Sequence, residues 1–128
     1  MFQSYGVTNA ISLRVSVDNV LLDVDTAITC GLIINELVSN SLKHAFPNGR
    51  KGEILIGLRS NSNGRDESAG CRYTLIIRDN GIGFPKNFDL RKTESLGLQL
   101  VDGLIKQLQG NIRFRGSRGT AFRIVFSQ

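Results

Sequence analysis

The sequence predicts an α/β fold: a two-layer α/β sandwich whose mixed, mostly antiparallel sheet carries its helices on one face. Three observations predict it. Apolar residues alternate with polar ones in several short runs, the period of a half-buried strand. Two longer stretches have helical spacing instead. Turn-forming residues separate neighbouring strand-like runs closely enough for hairpins. The expected order is strand, strand, helix, strand, strand, helix, strand, strand.

Each element has its own justification. Ile11, Leu13, Val15 and Val17 alternate with polar neighbours, Asp18-Asn19 signals a turn, and Val20-Leu21-Leu22 resumes an extended pattern. Residues 26–46 have helical spacing with Asp25 or Thr26 as N-cap, and Pro47-Asn48-Gly49 ends them. Residues 52–58 alternate again around Ile54 and Ile56. Residues 60–70 are polar and aperiodic, a hairpin connection without chemistry. Residues 73–77 form the next strand, and residues 85–94 a polar loop. Leu96, Leu100, Leu104 and Leu108 recur at spacings of four in a helix that Gly110 caps. Residues 111–115 and 120–126 form a closing hairpin. No repeat and no linker divides the chain, so residues 1–128 read as a single domain with its core between about 11 and 126.

Composition narrows the function classes. With 41% hydrophobic and 21% charged residues, the 128-residue chain is ordinary for a soluble globular domain. It has no apolar run near the roughly 18 residues needed to span a bilayer. Its first residues lack the basic and apolar regions of a signal peptide, so the expected compartment is cytoplasmic. Cys30 and Cys71 are too few and too far apart for a metal cluster and read as reduced thiols. The net charge of +5 is compatible with any polyanion. It is mostly dispersed; the dense patch is Arg113, Arg115, Arg118 and Arg123, which in a strand-turn-strand reads as a solvated face.

Two segments concentrate chemistry. In the first helix, Glu36, Asn40, Lys43 and His44 fall within one arc at about 100° per residue, opposite Ile34, Leu37, Val38, Leu42 and Ala45. An amphipathic helix with a solvated face would show the same arc. Asn40 is a mediocre helix former, however, and its amide oxygen is a hard ligand of the kind magnesium accepts. Glu36, one turn earlier, could polarise a hydroxyl. Lys43 and His44 suit phosphate oxygens.

The second segment is Asp79-Asn80-Gly81-Ile82-Gly83-Phe84-Pro85. Asn-Gly after an apolar strand is also a common hairpin turn, but polar residues follow here rather than a pairing strand. A buried Asp79 could accept a hydrogen bond from an exocyclic amine, and Gly81 and Gly83 let a flat ring approach the backbone. Ser95-Leu96-Gly97-Leu98 opens the second helix, whose free N–H groups and dipole favour phosphate. Gly97 costs helix stability there; tight packing on the sheet would require it equally well. Gly119-Thr120 ends the last turn. Nucleotide binding is the function these groups share.

In order and wording, the segments resemble the Bergerat-fold ATPases, the superfamily of gyrase, heat-shock chaperones and histidine kinases. Residues 35–46 resemble the N box, 79–83 the first glycine box, 95–98 the second, and Gly119-Thr120 the late Gly-Thr pair. Asn-Glu-Leu-Val-Ser-Asn-Ser-Leu-Lys-His-Ala-Phe-Pro is most similar to sensor histidine kinases of the second HisKA type. The resemblance implies ATP and Mg²⁺ as ligands, with Asn40 on the metal and Lys43 and His44 near the phosphates. It implies that Asp79 takes the adenine amino group, assisted by Thr120, while Gly81 and Gly83 shape the pocket. It makes residues 85–94 an ATP lid and brings Ser95, Leu96 and Gly97, in the box that Leu98 completes, to phosphate. Glu36 is the general base in hydrolytic relatives and in kinases would orient the phosphoacceptor.

Two departures accompany it. Ser95 stands where many relatives have glycine, and no phosphoacceptor histidine is present, since the single histidine, His44, belongs to the N box. The implied function is therefore that of an ATP-binding catalytic domain, donating the γ-phosphate to a histidine on a separate dimerisation domain. Such an isolated domain is not expected to label itself. A response regulator would lie downstream, nucleic acid and membrane would not be contacted, and the parent could be membrane-anchored or soluble. The competing expectations are an anti-sigma-type protein serine kinase and a non-enzymatic basic binding module.

Overall fold

The structure, a computed structural model, describes residues 11–18, 20–61, 72–83, 96–116 and 118–127. The elements are β1 (Ile11–Val17), α1 (Val24–His44), a 3-10 turn (Pro47–Gly49), β2 (Gly52–Ser60), β3 (Arg72–Asp79), α2 (Leu96–Gln107), β4 (Asn111–Arg115) and β5 (Thr120–Ser127). They form one five-stranded sheet in the order β1-β2-β3-β5-β4. The β2–β3, β3–β5 and β4–β5 pairs are antiparallel, and β1–β2 is parallel. The expected mixed, mostly antiparallel sheet is therefore present.

One expected strand is not. Val20-Leu21-Leu22 is irregular, and β1 pairs with β2, starting at Ile11 opposite Gly52, rather than folding back on the next residues. A parallel pair needs a long crossover, and α1 supplies it. Asp18 N–H donates to Leu58 O at 3.1 Å, which continues the parallel ladder where a turn was expected. Val20 and Leu22 instead pack against the core as irregular chain.

α1 begins two residues earlier than expected. Asp23, not Asp25 or Thr26, is the N-cap: its Oδ1 accepts from Thr26 N–H at 2.8 Å. The buried stripe of α1 is Thr29, Cys30, Ile33, Leu37, Val38 and Ser41. Ile34 and Leu42, placed on the apolar arc from sequence, are only half-buried. Burial pushes the Cys30 thiol up to about 11, as suits a free cysteine among apolar neighbours. Cys71 lies outside the described residues, as does most of the 60–70 connection.

The leucine repeat of α2 also divides. Leu104 and Leu108 are buried, whereas Leu96 and Leu100 are exposed. Four residues turn a helix by about 400°, so a spacing of four drifts around it. The face that packs is Leu98, Val101, Leu104, Ile105 and Leu108. Gly110 takes part in the C-terminal cap but does not hold its left-handed position. Gln109 does, at φ 54°, while Gly110 N–H donates to Ile105 O at 3.0 Å. A side chain at Gly110 would press on Val125 O and Phe126.

α1 and α2 pack on each other over the inward side chains of the strands, among them Ile54, Ile56, Leu75, Ile77, Phe122, Ile124 and Phe126. The other face of the sheet carries no helix among the described residues. No helix is long and apolar enough to cross a membrane among the described residues.

Candidate functional site at the end of β3

The inward side of β3 reads Tyr73, Leu75, Ile77, Asp79, so the period that buries three apolar groups also buries a carboxylate. Asp79 is 8% exposed. An ionised carboxylate in such a place needs hydrogen bonds on both oxygens. Ser41 Oγ donates to Oδ2 at 2.7 Å, and Gly81 N–H donates to Oδ1 at 2.9 Å. Each oxygen has two lone pairs, so both keep capacity for an incoming donor. Thr120, also buried, sits directly opposite Asp79 on β5.

The glycine turn is clamped to three other elements. Ile82 N–H donates to Ala45 O at 3.0 Å, fixing the turn to the end of α1. A side chain at Gly81 would collide with the Ala45 backbone. Gly83 has φ 78° and lies against the Gly116 and Gly119 carbonyls; Gly119 has φ 79° and lies against Asp79 O. At both positions the left-handed backbone and the lack of space exclude other residues. The turn is not a hairpin turn. Asn80 instead continues the ladder of β3 to β2, its Oδ1 accepting from Glu53 N–H at 2.8 Å and its N–H donating to Glu53 O at 3.2 Å.

The polar arc of α1 flanks this point. Asn40 precedes Ser41, and both Asn40 and Glu36 are half-buried, while Lys43 and His44 in the last turn are exposed. No group of three His, Cys, Asp or Glu side chains is arranged to hold a metal among the described residues. The donors at hand are the Asn40 amide oxygen and the Glu36 carboxylate. That sparse, all-oxygen set fits magnesium, which keeps several waters and takes other ligands from phosphates. At the start of α2, Leu96 is exposed, Gly97 half-buried and Leu98 buried in the core. Ser95 and residues 85–94, the expected lid, lie outside the described residues.

Sequence reasoning missed Ser41. A serine at the end of the buried stripe, one turn beyond Leu37, was the available signal that a polar partner lies in the core.

The comparisons with known proteins agree with this geometry. Residues 25–128 match the family model of histidine kinase-, DNA gyrase B- and HSP90-like ATPases. The chain is 34% identical over 107 residues to the sensor histidine kinase PdtaS of Mycobacterium tuberculosis, covering 82% of this chain and 20% of that protein. It is 31% identical over 116 residues to the blue-light-activated histidine kinase 2 of Erythrobacter litoralis, covering 90% and 32%. The solved Erythrobacter litoralis EL346 blue-light activated histidine kinase superposes with a TM-score of 0.77 at 28% identity, over 94% of this chain and 36% of that one. The catalytic domain of histidine kinase ThkA has the same fold, with a TM-score of 0.66 at 19% identity. The chain thus spans about a fifth to a third of the curated relatives it matches. The carboxylate at the end of β3, the glycine turn locked to α1 and these matches lead to one assignment: the chain belongs to the family of histidine kinase-, DNA gyrase B- and HSP90-like ATPases, and these curated relatives are histidine kinases.

Proposed function

We propose that this domain binds Mg·ATP and donates the γ-phosphoryl group to a histidine on a separate dimerisation domain, with a response regulator downstream. The buried Asp79, held by Ser41 and Gly81 with lone pairs to spare, carries the reading. It accepts from the exocyclic amine of adenine, and Thr120 opposite assists. Guanine has a carbonyl at the corresponding position and would set an acceptor against an acceptor. Gly81 and Gly83 shape the pocket by letting the turn close on Ala45 and on the Gly116 and Gly119 carbonyls.

Asn40 would hold the magnesium ion, which when bound neutralises phosphate charge. Lys43 and His44 steady the phosphates from the last turn of α1, and Leu96 and Gly97 do so from the start of α2, with Ser95 before them in sequence. Transfer breaks the bond between the γ-phosphorus and the β–γ bridging oxygen, forms one to an imidazole nitrogen, and releases ADP. Little of this needs covalent help from the protein; alignment of nucleophile and leaving oxygen dominates. Glu36 orients the incoming imidazole.

The test is transfer in trans. Incubated with Mg·ATP and a dimerisation domain bearing its phosphoacceptor, the chain should produce acid-labile label on that domain and none on itself. Asn40→Ala should remove the label while the circular dichroism spectrum stays native. Acid-labile label on His44 of the isolated chain would contradict this arrangement. Acid-stable label on serine or threonine of an added partner would favour a serine kinase of the anti-sigma type instead.

A further inference from the structure

The face of the sheet away from the helices carries a pattern that nucleotide binding does not use. The strand register aligns Arg14, Leu55, Arg78, Ala121 and Arg115 in one row across all five strands. The next row is Ser16, Gly57, Ile76, Arg123 and Arg113. Arg59 and Arg72 lie on the same face farther along β2 and β3. Among the described residues the carboxylates in these rows' company are Glu53, 3.6 Å from Arg14, and Asp18, at the end of β1 beside Arg59, against the many arginines. Arg113 and Arg123 are direct cross-strand partners. Like charges in that relation destabilise a sheet, so fold stability does not account for them.

The face is also concave and apolar at its floor. A cleft of about 410 Å³ at the strand ends is lined by Arg78, Arg115 and Arg118 with Leu55 and Ala121, and its inner end reaches Glu53, Asp79, Asn80 and Thr120. A depression of about 330 Å³ around Asp18, Leu55, Ile76 and Arg59 adjoins it, and another of about 300 Å³ lies on the same face around Asn111, Arg113, Arg123 and Val125. The basic residues of these rows are all arginine. Lys43, Lys51 and Lys106 lie on α1, before β2 and on α2. A guanidinium is weakly hydrated and pairs with a carboxylate through two parallel bonds. Protein interfaces favour arginine and disfavour lysine for that reason, and place apolar groups at the centre with charges around them.

We infer that this face is a docking surface for a protein partner that presents carboxylates around an apolar centre. A nucleic acid fits it less well. The aromatic rings of the neighbouring strands point to the helices, where Tyr73 stacks on Phe126 at 5.4 Å and Phe114 meets Phe122 at 5.1 Å. Among the described residues no ring remains on the arginine face to stack on bases, and the face presents no helix to a groove.

The experiment compares two variants of equal charge. Arg113→Glu with Arg123→Glu reverses two charges on the face; Lys51→Glu with Lys106→Glu reverses two elsewhere. The probe is a fluorescent peptide alternating glutamate and leucine with glycine spacers, titrated at low salt by anisotropy. The face variant should lose affinity by about tenfold or more, and the control variant should change by less than about threefold. Both should keep native circular dichroism and native Mg·ATP affinity. No binding of the peptide, or equal losses in both variants, would overturn the inference. So would tighter binding of a DNA duplex with the same arginine dependence, which would make the face a nucleic-acid surface.

Discussion

On β3, side chains that are neighbours in sequence point to opposite faces of the sheet and live under different rules. Those facing the helices, Tyr73, Leu75 and Ile77, are 4%, 0% and 1% exposed. Those facing away include Arg72 and Arg78, both open to solvent. At the strand end the inward row closes on Asp79, a charge in the one environment where a charge must be fully partnered. The outward row holds its charges in water, where a missing partner costs almost nothing. Chemistry that needs a defined geometry is therefore built inward, and recognition that tolerates adjustment is built outward. Thr74 qualifies the contrast: it faces outward yet is buried, its hydroxyl donating to Asn61 Oδ1 at 2.9 Å.

Substitutions ranked by size should reproduce the difference. Leu75→Ala should destabilise most, by about 2–5 kcal/mol, through lost transfer energy and a cavity under α1 and α2. Denaturant titration would check it. Ser41→Ala comes next, at about 1–3 kcal/mol, because it strips a buried carboxylate oxygen of its donor. If Ser41→Ala were as stable as the native chain, the claim that Asp79 is held rather than merely located would fail. Arg78→Ser, one residue from Asp79 but on the other face, should stay within about 0.5 kcal/mol. A loss there comparable to that of Ser41→Ala would erase the distinction between the faces.

The smallest effect is at the start of α1. Hydrogen bonds from the Thr26 backbone and side chain hold the Asp23 carboxyl below its usual value. With the folded pKa depressed, its stabilisation is complete above the unfolded pKa of about 3.9 and is lost as pH falls through the folded value. The melting-temperature gap between the native chain and Asp23→Ala should be constant near neutrality and narrow at acid pH. A gap that widened in acid would reverse the sign.

Much of this was legible in the residues. β2 to β5, both helices and the glycine turn follow from alternation, helical spacing and Pro/Gly punctuation, all of which act locally. What was not legible is non-local. Val20-Leu21-Leu22 has the composition of a strand, but β1 finds its partner beyond α1, and no local pattern encodes that choice. The N-cap moved because Asp23 and Asp25 are equally good cap residues and packing of Cys30, Ile33 and Leu37 decides the helix phase. Leu96 and Leu100 look like core by spacing and prove exposed because the drift of the repeat carries them off the packed face. Asp79, Gly81, Gly83 and Thr120 were named from sequence, and the structure brings them together. Ser41, the residue that orients Asp79, was passed over because a single serine in an apolar stripe carries no motif. The arginine face was visible only as a patch of four; the register of five strands was needed to extend it.

The central claim is that the inward end of β3 reads adenine through Asp79. Calorimetric titration of the native chain and of Asp79→Asn with Mg·ATP and Mg·GTP tests it most directly. A buried polar group left without its partner costs about 1–3 kcal/mol, so the native chain should prefer ATP by about tenfold or more. Asp79→Asn should lose both ATP affinity and the preference while remaining folded. If Asp79→Asn binds ATP as tightly as the native chain does, or if the native chain binds GTP equally well, the assignment of Asp79 is contradicted.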